Sequence, residues 1–327
     1  MRALAQRLLQ LVVVLLIVTA FTALLIDLVP GDVTNTLAPV STPEQRAQLR
    51  HELRLDEPVY QRYAEWVTGL ARGDLGCYYG TSGYTAGSQC PDKVADRVKD
   101  ALPISLELMF WAQLLALVVA IPLGVITAYR AGSLFDKGVN TAAFALLAIP
   151  NFVLALVLAY YVGTVWHLWD INPTGWVDFG QDPVDHFKQL ILPVLSLAVG
   201  QIAVYMRLLR SDMIATLQED FVTMARAKGL SPARILWRHA LRPSSLTLLT
   251  VAGLNVGTLI GGAVVIENIF AIHGMGFLIA DAIFRRQYVA LQSYVAIIAL
   301  GYVAVNFFVD VLYAILDPRI RHARAIG

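Results

Sequence analysis

The stretch at 207–243, RLLRSDMIATLQEDFVTMARAKGLSPARILWRHALRP, carries seven of the chain's 25 Lys and Arg and lies between apolar runs at 190–209 and 246–269. Within it Met213, Leu217, Phe221, Met224 and Lys228 recur every three or four residues, which predicts a helix over 212–228. Gly229 suits the left-handed position just past a helix end, and Arg226 and Lys228 fall in the last turn, where cations oppose the negative pole of the dipole. Ser231 and Pro232 restart the chain as N-cap and first helical residue. The second piece, 233–241, sets Arg234, Arg238 and His239 among Ile235, Leu236 and Trp237. Two readings follow. A positive loop can lie on anionic lipid headgroups through its bases. A stiff unit with small Ala225 and Ala227 beside its break can instead dock into the groove of a cytoplasmic partner. The lipid reading accounts for the bases and leaves the break without a purpose.

Outward from the loop, the chain is 57% hydrophobic and only 15% charged over 327 residues, where soluble domains carry about 25% charge. Crossing a bilayer takes roughly 20 mostly apolar residues as a helix. Six runs meet that length, at 8–28, 102–128, 139–166, 190–209, 246–269 and 289–316. None alternates apolar with polar, so a closed barrel is excluded. The first run reads as a retained helix, because its apolar part at 11–26 reaches or exceeds the roughly 7–15 residues of a cleaved signal core. Fourteen Lys and Arg, including the seven of the 207–243 loop, fall on the side of the amino terminus, against Lys188, Arg285 and Arg286 in the short connections opposite. Positive charge marks the cytoplasmic side, so both termini are expected there. A net charge of +1 argues against a nucleic-acid partner.

This gives an N-terminal helix at 1–29, an extracytoplasmic cap at 30–101, a five-helix core at 102–318 with the basic loop at 212–243, and a tail at 319–327. The cap is expected to hold a helix at 42–70, opened by Ser41 or Thr42 and Pro43, and then a Gly-rich stretch at 69–87. Cys77 and Cys90 are the chain's two cysteines. In an oxidising compartment a disulfide is favoured over two free thiols.

Thr223-Met224-Ala225-Arg226-Ala227-Lys228-Gly229, followed by Leu230-Ser231-Pro232 and Arg238-His239-Ala240-Leu241-Arg242, resembles the Glu-Ala-Ala coupling loop of ABC importer permeases in the dipeptide/oligopeptide permease B family. Four further blocks match in order: Leu28-Val29-Pro30-Gly31-Asp32, Arg72-Gly73-Asp74-Leu75-Gly76, Ile121-Pro122-Leu123-Gly124-Val125 and Gly261-Gly262-Ala263-Val264-Val265-Ile266-Glu267. So does the ending Val309-Asp310-Val311-Leu312-Tyr313-Ala314-Ile315-Leu316-Asp317-Pro318-Arg319. Thr223 stands where the general loop has Glu, Pro243 lies one position late, and the Cys77–Cys90 insertion is atypical.

The resemblance implies an all-α polytopic membrane protein, a type I importer permease with six transmembrane helices and a folded outer loop between the first two. It further implies a coupling segment, Thr223, Ala225, Arg226, Ala227, Lys228, Gly229, Ser231, Pro232, Arg238 and His239, that inserts into a cytoplasmic ATPase. The implied partners are a second, C-type permease, two ATPases that bind ATP and Mg, and an extracytoplasmic protein that delivers short peptides. Related permeases serve nickel chelates or glutathione. No Gly-x4-Gly-Lys-Ser/Thr phosphate loop is present, so the chain is not expected to be an enzyme.

Within the spans, Gly253, Gly257 and Gly261 recur at intervals of four with Gly262 beside them, a pattern of close helix packing. The resemblance also places this span along the pathway, where Asn255, Glu267 and Asn268 are the polar candidates. Pro150 and Pro193 are expected to kink their helices. Two other classes compete: an intramembrane enzyme, for which no His-Glu-x2-His or Gly-x-Ser-x-Gly pattern is present, and an ion-coupled carrier, which normally shows internal repeats and midplane carboxylates.

Overall fold

The structure, a computed structural model, describes residues 2–28, 34, 42–52, 54–79, 90, 92–166 and 174–316; the expected tail at 319–327 and the residues 29–32 and 317–319 of the matching blocks lie outside these. Every regular element among the described residues is helical. They are α1 (Arg2–Leu28), α2 (Pro43–Glu52), α3 (Val59–Ala71), α4 (Val94–Tyr129), α5 (Leu134–Leu147), α6 (Asn151–Val157) with a π-helical continuation Leu158–Val165, and α7 (Pro183–Thr216). There follow α8 (Asp220–Ala227), α9 (Pro232–Arg234) with a π-helical turn Ile235–Ala240, α10 (Leu241–Leu254), α11 (Val256–Ile269), α12 (Met275–Phe284) and α13 (Tyr288–Leu316).

Among the described residues three helices are long and apolar enough to cross a bilayer, Val94–Tyr129, Pro183–Thr216 and Tyr288–Phe308. Two bent pairs raise the number to five if each is one span, and the apolar part of α1, Val12–Leu28, falls in the 10–17-residue class. The run at 139–166 is therefore not one straight span. Pro150 lacks an N–H and its ring keeps Ile149 out of the helical region, and α5 meets Asn151–Val165 at 94°, far more than a kink. Pro193, by contrast, lies inside α7 without ending it. The run at 246–269 bends by 44° between α10 and α11, at Asn255. Helix α12 occupies what the sequence reads as a bare connection.

The chain divides into two compact units, one of residues 1–105 with 273–303 and one of 106–272 with 304–327. The first contains the expected cap. Its single helix at 42–70 is in fact two: Arg54 takes φ +53 and Pro58 starts α3 afresh. Thr42 opens α2 through a reciprocal pair, Gln45 N–H to Thr42 Oγ1 at 3.3 Å and Thr42 N–H to Gln45 Oε1 at 2.9 Å. Beyond α3, Cys77 and Cys90 are joined with their Cα atoms 5.7 Å apart, and Cys77 pairs antiparallel with Lys93. Tyr78 is buried with Val94, Val98, Leu278 and Tyr294, and its hydroxyl donates to Asp281 Oδ2 at 2.6 Å. Burial first, and that hydrogen bond second, push the Tyr78 hydroxyl far up, so it stays a donor. Gln287 clasps the Tyr79 backbone from both ends of its amide. Trp66 Nε1 donates to Ser293 Oγ at 2.9 Å, and Ser293 Oγ donates to the Leu75 carbonyl at 2.7 Å.

The second unit has a core rich in alanine, with Ala116, Ala120, Ala198 and Ala203 around Tyr205, Met206, Leu209 and Leu248. Small residues let backbones approach, and at Gly124 a Cβ would meet Leu209 Cβ and the Met206 carbonyl at 3.1 Å. The expected stripe Gly253, Gly257, Gly261 crosses a bend. The bend at Asn255 falls between the first two, and a Cβ on Gly261 would meet nothing of the chain within 4 Å; the close neighbour is at Gly262, 3.0 Å from Leu197 Cδ2.

Candidate functional site

The helix expected over 212–228 is interrupted. Helix α7 ends at Thr216, Leu217 to Glu219 turn, and Glu219 in extended geometry opens α8 at Asp220. The interruption rotates the phase: Val222 and Ala225 turn inward, and Phe221 and Met224 of the periodic set turn out. Helix α8 then stops as a Schellman motif. Gly229 takes φ +74, its N–H donates to the Arg226 carbonyl at 2.9 Å, and the Leu230 N–H donates to the Ala225 carbonyl at 3.3 Å. Pro232 is the first helical residue of the next piece as expected from the sequence, but Ser231 supplies its cap position without a side-chain hydrogen bond.

Val222, Ala225 and Ile235 bury one another, with Leu217 and Leu230 packed against them, so the loop has a small core of its own. Its base is tied as well: Ser244 Oγ lies 2.8 Å from Thr216 Oγ1 and 2.9 Å from the Ala240 carbonyl oxygen, joining the end of α7 to the start of α10. Ile235–Ala240 is π-helical, a form that recurs at functional positions.

Of the ten residues singled out, Ala225 is a core residue of the loop and His239 is half-buried. Thr223, Arg226, Ala227, Lys228, Gly229, Ser231, Pro232 and Arg238 are exposed. What the sequence reading missed is apolar. Phe221 is 44% exposed, Met224 58% and Trp237 47%. The missed signal was the Glu219–Asp220 pair, a helix start inside an otherwise continuous periodicity. Among the described residues, Arg226, Lys228, Arg234 and Arg238 pair with no carboxylate.

The pathway candidates separate. Asn255 at the bend donates to Gln201 Oε1 of α7 at 3.0 Å, and Gln201 Nε2 donates to Thr258 Oγ1 at 2.9 Å. Tyr205, one turn along α7, donates to Gln113 Oε1 at 3.2 Å. Glu267 is fully buried rather than at a surface, and Asn268 is exposed and donates to the Val264 carbonyl at 2.7 Å. One polar pair had no sequence signal. His186 is buried, its Nδ1 2.7 Å from the Val177 carbonyl oxygen and its Nε2 2.9 Å from Glu107 Oε1. Both neighbours present oxygens to the ring, one on each nitrogen.

Residues 120–322 match the family described as "Binding-protein-dependent transport system inner membrane component", and residues 1–109 match its N-terminal companion, "Binding-prot-dependent transport system membrane comp, N-term". The chain is 39% identical to the di/tripeptide transport system permease protein DppB of Pseudomonas aeruginosa, over 94% of this chain and 95% of that one. It is 36% identical to a putative peptide transport system permease protein of Brucella abortus, over 97% and 98%. It is 35% identical to the dipeptide transport system permease protein DppB of Escherichia coli, over 94% and 95%. A helical membrane chain whose two family matches run across nearly its whole length, with a self-packed loop presenting exposed bases and bare apolar side chains, belongs to the binding-protein-dependent transport system inner membrane component family.

Proposed function

We propose that this chain is the permease subunit of an ATP-driven ABC importer and supplies half of the path by which di- and oligopeptides enter a prokaryotic cell across its plasma (inner) membrane. It pairs with a homologous C-type permease and two cytoplasmic ATPases, which bind the ATP and Mg, and it receives cargo from an extracytoplasmic binding protein. Six spans with both termini cytoplasmic put the 207–243 loop beside the ATPases and the cap outside. The names of the peptide permeases to which the chain is similar support the cargo.

The observation that carries this reading is the exposed surface of the loop, where Phe221, Met224 and Trp237 are bare and Arg226, Lys228 and Arg238 pair with no carboxylate among the described residues. The three side chains are already about half-buried, so burying the remainder in a partner's cleft is a gross gain of roughly 2–5 kcal/mol, from which the cost of association is subtracted. Because the loop has its own core and its base is bonded to both α7 and α10, a push on α8 passes to those two helices. These meet again at Gln201 and Asn255, beside the bend of the fifth run. ATP-driven closure of the ATPases thereby acts on the polar cluster of the pathway.

Uptake in a strain that lacks its own peptide importers tests this, with peptides of graded length competed against glutathione and nickel. Competition by short peptides alone is expected. Full competition by glutathione or a nickel chelate moves the cargo within the family. Transport by the purified chain without ATPases would replace the reading with an ion-coupled carrier.

A further inference from the structure

We propose that a cavity within the unit built of residues 106–272 and 304–327 binds the headgroup phosphate of an anionic phospholipid from the cytoplasmic leaflet, with an acyl chain along its apolar wall. The orientation rests on the permease reading above, which sets Lys137 and Arg207 on the cytoplasmic side. The cavity holds about 670 Å³, inside the roughly 300–1,000 Å³ of small-molecule sites. It is lined by one stripe of α5 and one of α7, with Val251 of α10 beside them.

The charges of the lining do not cancel. Asp136 is buried and both of its oxygens are taken. Arg210 Nε and Asn140 Nδ2 donate to Oδ1 at 2.6 and 2.7 Å, and Arg210 Nη2 and the Gly132 N–H donate to Oδ2 at 2.7 and 2.8 Å. Asp136 and Arg210 therefore neutralise each other. Lys137 and Arg207 pair with no carboxylate among the described residues, Asp212 of α7 included. The Arg207 guanidinium lies 3.8 Å from the centroid of the Phe144 ring, a contact that holds it in place and leaves its charge uncancelled. Two positive charges remain, and a phosphate, with acceptor oxygens in several directions, matches a guanidinium and an ammonium together.

The apolar members of the lining select the source of that phosphate. On α5, Lys137 and Asn140 precede Phe144, and on α7, Val204 precedes Arg207 and Ser211, each at the three- and four-residue spacing of one helix face. In the proposed topology α5 starts at the cytoplasmic side and α7 ends there, so both stripes are polar at the cytoplasmic end. Phe144 and Val204 lie about 10 Å further along their helices. Phe144 is 55% exposed. A soluble phosphate satisfies the mouth and leaves that wall bare, whereas a lipid places its phosphate at the helix ends and its chains inward. Positive-inside bias accounts for the two cations and not for an apolar wall directly behind them. Basic pockets between transmembrane helices on this side bind anionic headgroups.

The test holds the whole permease–ATPase complex in phosphatidylcholine nanodiscs doped with a photoactivatable phosphatidylglycerol and maps the cross-links by mass spectrometry. Wild type is expected to be labelled on 134–147 and 204–211. Lys137→Gln combined with Arg207→Gln should weaken labelling there roughly thirtyfold, the worth of two surface cations, and leave cross-links elsewhere in the complex unchanged. The charge-keeping pair Lys137→Arg and Arg207→Lys should retain the labelling. Equal labelling in wild type and the glutamine variant overturns the proposal, as does loss in the charge-keeping variant equal to that in the glutamine variant. On the unaltered complex, unlabelled phosphatidylglycerol should compete, and sodium phosphate should compete no better than sodium chloride at equal ionic strength. Full competition by sodium phosphate gives the site to a soluble anion, and the lipid assignment falls. Lys137→Cys, probed in intact cells with a membrane-impermeant thiol reagent, separates the two levels. Labelling from outside overturns the orientation and with it the permease reading, whereas protection from outside with unchanged cross-links in the glutamine variant sinks only the lipid site.

Discussion

The cap and the loop at 217–244 hold their charges in opposite ways. In the cap four arginines are matched within the chain, Arg50 with Asp56, Arg54 with Glu65, Arg62 with Asp27 and Arg97 with Asp92. In the loop, Arg226, Lys228, Arg234 and Arg238 are matched with nothing among the described residues, and three large apolar side chains stand bare beside them. Where charge is matched and the chain is cross-linked, the residues serve the fold. Where the backbone is stiff and its side chains are unspent, they are the ones the proposed docking onto a partner uses.

The sharpest way to break that contrast is Gly229→Pro. Proline holds φ near about −65° and has no N–H, so it cannot replace a residue at φ +74 that donates to Arg226. Coupled uptake is expected to fall at least ~100-fold while the chain still enters the membrane, read by uptake and by membrane fractionation. Phe221→Ala with Trp237→Ala comes next. Interface anchors of this kind are worth about 2 kcal/mol or more each, so ATPase subunits should no longer co-purify, although the stability of the chain changes by no more than ~0.5 kcal/mol. A large loss of stability instead would make these core residues and end the contrast.

On the cap side, Cys77→Ser should cost roughly 3 kcal/mol, the value expected for a short closed loop, without loss of ATPase co-purification. Thiol reagents should label the native chain only after reduction, and full labelling without reductant would remove the cross-link. The smallest effect is at Arg50→Ala. Its pair with Asp56 is 46% and 56% exposed, and such pairs are worth about 0–1 kcal/mol. The parallel change Arg238→Ala should leave the melting temperature alike and lower uptake, so equal effects at the two sites would erase the distinction.

Much of this was legible because the signals are local. The stop at Gly229, the start at Pro232 and the cap at Thr42 each follow from the conformational range of one residue and its nearest neighbours. The sequence misled where a local rule met a global constraint. Met213 through Lys228 keep a helical period, and only the Leu217–Glu219 turn shows that Phe221 and Met224 face away from Val222 and Ala225. The glycine stripe has a regular spacing, but regular spacing makes one face only on a straight helix, and this helix bends at Asn255. His186 and Glu107 are 79 positions apart, and no sequence pattern links two residues on different helices.

From the sequence alone came the membrane, the helical class, the family resemblance and the position of the basic loop, since apolar run length and residue-level backbone preferences are properties of short windows. The tertiary structure decided which side chains that loop buries and which it exposes, and how sharply the third and fifth runs bend. Exposure, bend angle and hydrogen-bond balance depend on distant segments arriving at the same place, and that information exists only once the chain has packed.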